Sequence, residues 1–261
     1  MLNFAENYKR YGETTTTYDL LKFLAITIMI IDHIGGFFIK DELMWRAVGR
    51  LCVPIWLFFV GYAGTHKIDK ELLIFAIMLL ALDIITFNPI LPTNILFSII
   101  ACRLVIKYID SKEWQKYQSF FYFLPFFLVT IPTLLMFEYG SQALAFALFG
   151  YLVKTQGKSI DTKIIATLAT VFFLTIQLSD YDFNILEQIT LISGTILITI
   201  ILYNFTIKPL NINNNNYMKR IIMFLGRNSL YIYFIHFVLF VLIEYYLHPE
   251  LHTELRLLDL K

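Results

Sequence analysis

The sequence predicts an all-α polytopic membrane protein, a helical bundle of about nine transmembrane helices with its N-terminus inside. Three observations carry that expectation. Of 261 residues, 58% are hydrophobic and 16% charged, against about a quarter charged in an ordinary soluble domain. Apolar runs near the length needed to cross a bilayer recur along the chain. Basic residues cluster on alternate connections, as the positive-inside rule requires. The same composition, with 17% aromatic residues and a mean hydropathy of +0.66, excludes a disordered chain, a disulfide scaffold and an ordinary cytosolic enzyme. A net charge of +1 leaves no basic excess for nucleic acid.

Residues 1–17 hold Glu6, Lys9, Arg10, Glu13 and a Thr run. They read as a polar cytoplasmic tail without the apolar core of a signal peptide. The stretch 18–39 is long enough to span, so it reads as a signal anchor that stays in the membrane. Further spans are predicted at 47–66, 72–90, 93–109, 118–137, 140–155, 162–178, 184–205 and 221–247. The sixth and seventh look short, so eight to ten spans also fit. Residues 18–247 then form one transmembrane domain, and 248–261 a short extracytoplasmic tail. With nine spans and the N-terminus inside, cytoplasmic loops hold 13 basic residues and outer loops 4. A miscount by one span would scramble that pattern. The Asn-rich stretch 211–216 reads as a cytoplasmic linker. No internal repeat is visible, which weakly disfavours a secondary transporter. Cys52 and Cys102 lie in apolar runs and read as small hydrophobes, with no disulfide and no metal site.

Ionisable groups within spans are costly and mark aqueous cavities or paired sites. On the first span Lys22 and His33 are eleven positions apart, about 20° of net rotation and about 16.5 Å of rise. One helix stripe thus carries a cation near the cytoplasm and an imidazole far across. Asp19, three residues before Lys22, lies near the same stripe. Asp32 and His33 are adjacent and point about 100° apart, so Asp32 cannot readily orient the imidazole. Arg50, across a short loop, is a candidate partner for Asp32. Lys22, Arg103, Lys107, Lys154 and Arg227 sort toward the cytoplasm, a vestibule suited to an anionic ligand such as a nucleotide phosphate. Asp32, His33, Arg50, Asn94, Glu138 and Glu187 sort outward. Ser229, Tyr233 and His236 form one polar stripe on the last span, where Asn228 or Ser229 is a candidate cap. Plainer readings stand beside these. Lys22 snorkels beside Asp19, Asp32 and His33 close a helix end, the inner cations reflect topology alone, and the last-span stripe is an interhelical seam. His66 reads as a solvated interfacial residue.

Several segments resemble the TraX family of integral-membrane acetyltransferases, associated with acetylation of conjugative pilin. They are Asp19-x-x-Lys22-x-x-Ala25-x-x-x-Met29-x-x-Asp32-His33-Ile34-Gly35, Gly49-Arg50 with Pro54, Gly61 to His66, Asn94 to Ser98, Glu138-Tyr139-Gly140 and Tyr233 to His236. A broader similarity extends to membrane sugar O-acyltransferases. The resemblance implies His33 as the catalytic group, with Asp32, Arg50 and Lys22 as essential residues and acetyl-CoA as donor. On that basis Lys22, Arg103 and Asp19 are expected at the donor, and Asn94, Glu138, Tyr233 and His236 along the acceptor path. Arg50 or Asn94 would stabilise an oxyanion. The expected setting is the bacterial cytoplasmic membrane, multi-pass and lipid-surrounded, with an extracytoplasmic acceptor (pilin or glycan), no metal and no nucleic acid. The alternatives are a proton-coupled transporter using Asp32-His33 as a relay and a non-catalytic membrane assembly factor.

Overall fold

The computed structural model describes residues 14–65, 67–110, 133, 135–210 and 217–249. Ten α-helices account for most of them: α1 Thr17–Phe38, α2 Met44–Gly49, α3 Cys52–Ala63, α4 Lys70–Ile85, α5 Ile95–Ile109, α6 Gly140–Gln156, α7 Ile160–Asp180, α8 Ile185–Tyr203, α9 Tyr217–Arg227 and α10 Ser229–Leu247. The described residues include only two isolated β-bridges and no strand. Their starts follow local chemistry. Thr16 and Asp19 form a reciprocal capping box on α1, Asn184 and Glu187 do the same on α8, and Ser159 caps α7.

Among the described residues, five segments have the length and hydropathy to cross a bilayer: Thr17–Phe38, Met44–Ala63, Ile160–Asp180, Ile185–Tyr203 and Ser229–Leu247. α4, α5 and α6 coincide with predicted spans but have 16, 15 and 17 residues. At 1.5 Å per residue each is about 22–26 Å long, short of a hydrocarbon core of about 30 Å. The predicted span at 118–137 lies largely outside the described residues. His66, the stretch 211–216 and the tail beyond Pro249 lie outside them altogether.

Two predicted spans are interrupted. The second breaks at Arg50–Leu51 because Pro54 has no N–H and its ring crowds the carbonyl four residues back, that of Arg50. Arg50 O instead accepts from Val53 N at 3.2 Å. The last span is two helices joined at Asn228. The Asn228 side chain does not cap forward; its Nδ2 donates back to Phe224 O at 2.8 Å.

The chain forms two compact units. The first comprises residues 1–56 and 182–240. Within it α1 packs on α2 and α9, and α8 packs on α2. Small residues allow the approach: any side chain on Gly49 would collide with Asp32, and one on Gly226 with the Asp19 backbone. The segment after α8 runs antiparallel to the start of α1, with Thr17 N donating to Lys208 O and Leu210 N to Thr15 O. The second unit comprises residues 57–181 and 241–261. Its core holds Phe58, Phe146, Phe149 and Phe173, all fully buried. Gly61 and Gly150 mark the crossing of α3 and α6, where backbones touch and no Cβ fits. α6 packs on α5 and α7.

Candidate functional site

In the first unit, α1 and α10 bring two histidines together. His33 Nδ1 lies 2.7 Å from His236 Nε2, with the rings nearly parallel and 4.9 Å apart. The other His236 nitrogen, Nδ1, lies 2.6 Å from Ile232 O. A carbonyl oxygen only accepts, so His236 Nδ1 carries a hydrogen and donates it. In neutral His236 this leaves Nε2 as an acceptor. His33 Nδ1 must therefore be the donor, and neutral His33 presents a bare lone pair on Nε2. The chain of contacts, from a helix carbonyl through one imidazole to the next, specifies the tautomer of both rings.

Aromatic rings enclose the pair. Phe37 and Phe237 meet His33 edge-on at 6.2 and 5.5 Å. Phe240 meets His236 at 5.6 Å, and the Tyr233 ring is 6.1 Å from His33. Beside His33, Asp32 is buried at 3% exposure. Its Oδ2 pairs with Arg46 Nη1 at 3.0 Å, and its Oδ1 lies 3.7 Å from Arg50 Nε. Arg46 Nη1 also donates to the Asp32 backbone carbonyl at 2.9 Å. Asp32 and Arg50 thus meet as expected, and Arg46 joins them from α2. One carboxylate and two guanidiniums leave a net charge of +1 next to the imidazole, a field suited to a developing anion.

Every residue of this cluster falls within 17–244, the range matched by the model of the TraX protein family. The chain belongs to the TraX family. It is also similar to an uncharacterized protein of Rickettsia prowazekii (strain Madrid E), 28% identical over 251 residues that cover 90% of this chain and 95% of that protein. No solved structure matches.

The remaining sequence-predicted residues of this TraX-family chain divide in two. Lys22, a turn from the start of α1, holds its ammonium 4.9 Å above the Tyr18 ring. Asp19 does not pair with it. The Asp19 carboxylate accepts from Thr16 N and Oγ1, each at 2.9 Å, and from Arg227 Nε at 3.1 Å. Asp19 and Arg227 have side chains only 5% and 3% exposed, so both are committed to joining α1 and α9. The expected donor-side role of Asp19 and the vestibule role of Arg227 give way to this buried ion pair.

In the second unit, Arg103 Nη1 bonds Asp69 Oδ2 at 2.9 Å and Lys67 O at 3.0 Å. Asn94 is buried, and both ends of its amide are bonded. It caps α5 by accepting from Leu96 N and donates to Ala76 O, so an oxyanion role for it would break the helix start. Glu138 Oε2 accepts from Ile95 N at 2.9 Å and braces the same helix end. Sequence reading missed Arg46 as a site residue, although its place four residues before Arg50 puts the two on one helical face.

Proposed function

We propose that this chain is an integral-membrane acetyltransferase. It moves an acetyl group from cytosolic acetyl-CoA to an amine or hydroxyl acceptor, on pilin or an envelope glycan, at the outer face of the bacterial cytoplasmic membrane. The observation that supports this reading best is the tautomer-fixing contact of His236 on His33, which leaves His33 Nε2 as a directed base.

The acceptor nitrogen or oxygen attacks the acetyl carbonyl carbon while its proton passes to His33 Nε2. The carbonyl oxygen takes negative charge, which the Arg46–Asp32–Arg50 cluster offsets. The carbon–sulfur bond then breaks, and the proton on Nε2 moves to the departing CoA sulfur, restoring neutral His33. A covalent route, in which Nε2 itself carries the acetyl group, would use the same lone pair. The phosphates of the donor pair with Lys22, about 16.5 Å along α1, a distance an extended pantetheine arm covers. We also infer nine spans with the N-terminus inside, because only that parity gives 13 basic residues in cytoplasmic loops and 4 outside.

The test uses the full chain in nanodiscs with labelled acetyl-CoA and panels of amine and hydroxyl acceptors. Label transfer is expected, and His33→Ala should lower it by about 10²–10⁴-fold per folded molecule while CoA binding persists. Near-normal turnover by folded His33→Ala protein would sink the assignment, as would absence of transfer to either panel. The second result would leave an assembly or transport role.

A further inference from the structure

We infer that the opening of α6, in the second unit, is a binding site for a neutral polyhydroxylated ligand, a saccharide group. Gln142 and Gln177 are 2% and 3% exposed, and Ser141 is 4% exposed. Gln142 Oε1, Gln177 Oε1 and Ser141 Oγ have no hydrogen-bond partner among the described residues. Leaving such groups buried and unpaired is costly, and native chains rarely tolerate a cluster of them without a use. Gln142 and Gln177 belong together. Phe146 of α6 meets Phe173 of α7 with ring centroids 5.8 Å apart, which sets the register of the antiparallel hairpin. One turn before Phe146 is Gln142, and one turn after Phe173 is Gln177, so the two amides lie at the same level.

The helix end adds donors. α6 starts after Tyr139, which sits in the left-handed region at φ 62° and supplies no side-chain cap. The first-turn N–H groups of Ser141 and Gln142 are therefore available. The frame around them is held firmly. Thr93 N donates to Met136 O, Glu138 N to Thr93 O, and Ser98 Oγ to Glu138 O at 2.6 Å.

Donors and acceptors in one buried patch select the ligand. As placed, the two amide oxygens would oppose an anion, and an ammonium would meet the positive end of a helix. A hydroxyl both donates and accepts, so neighbouring hydroxyls match amide oxygens and backbone N–H groups together. The hydroxyls come either from a free saccharide or from a glycolipid headgroup.

Hydrogen–deuterium exchange over 139–147 tests the site in the full chain in nanodiscs. One arm adds glucose, and the other includes monoglucosyl diacylglycerol in the disc. Slowing of the Ser141 and Gln142 amides by about tenfold is expected in at least one arm, and the responding arm identifies the source. The Q142L/Q177L double variant should lose that protection while its melting temperature stays level or rises, because the unpaired polar atoms are gone. S141A, a smaller change, should weaken it in the same direction. No protection in either arm would overturn the site. So would protection that survives Q142L/Q177L, or a melting temperature that falls in the double variant, which would mark the amides as internal supports. The measurement needs no acetyl-CoA and should read the same in His33→Ala protein. Its failure and a failure of acetyl transfer are therefore separate results.

Discussion

Replacing His236 with phenylalanine isolates what the second imidazole does. The ring that stacks on His33 at 4.9 Å is kept, but the acceptor for the 2.7 Å contact from His33 Nδ1 disappears. His33 then has two choices. It can keep its proton on Nδ1 with no partner, at about 1–3 kcal/mol, or shift the proton to Nε2 and lose the lone pair that acts as base. In either case the working form becomes less populated. At 1.4 kcal/mol per factor of ten, that range is about 5- to 150-fold, so turnover should fall by roughly ten- to a hundredfold, as when an orienting partner of a metal-bound histidine is lost. His236→Gln, whose amide oxygen can accept from Nδ1, should recover much of the loss. Turnover per folded molecule would be measured with labelled acetyl-CoA. In parallel, ¹⁵N-histidine spectra would report which His33 nitrogen bears the proton. Turnover within twofold of the parent in His236→Phe, with His33 still protonated on Nδ1, would refute the reasoning.

Lys22→Gln should weaken acetyl-CoA binding more than acceptor binding, because a phosphate loses its counter-charge; equal loss for both ligands in calorimetry would count against that placement. Asp32→Leu leaves the buried Arg50 and the half-buried Arg46 without their carboxylate and should cost about 3–5 kcal/mol of stability, read by denaturation in detergent, whereas Asp32→Leu combined with Arg46→Leu should cost less. Gly150→Leu should unfold the second unit or shift its unfolding to milder conditions, since a side chain there collides with the Phe58 carbonyl. Cysteines introduced between positions 107 and 117 should react with membrane-impermeant reagents only from the cytoplasmic side; outside reactivity would overturn the nine-span topology.

Much of the fold was legible because lipid solvent simplifies the pattern. A long apolar run such as 18–39 has few alternatives to a helix, and α1 lies within a residue of that prediction. The breaks were less visible. Pro54 was in plain view, but hydropathy averages across it, and the interruption at Arg50 emerges only from following the carbonyl that proline crowds. The site was partly legible for the same reason: Asp32, His33 and Arg50 are expensive in an apolar stretch. Asn94 and Glu138 looked equally expensive and are spent on holding the start of α5. Asn94 immediately precedes an apolar run, which is also the signature of a helix cap, and that simpler role is the one it fills. The partner of His33 was beyond reach from pattern alone, because His236 lies 203 positions away and only tertiary packing chooses among polar stripes.

Two ties join α1 to the final helices. One is the Asp19–Arg227 pair near its start, bridging 208 positions; the other is the His33–His236 contact near its end. A membrane chain is threaded from its beginning, so α1 enters the lipid long before its partners are synthesised. Until α9 arrives, the Asp19 carboxylate has its cap but no counter-ion, and until α10 arrives His33 has no neighbour to set its proton. Both ties therefore close only when the last two helices are in place. A chain that ends before residue 217 would keep the α1 capping box but lack both ties.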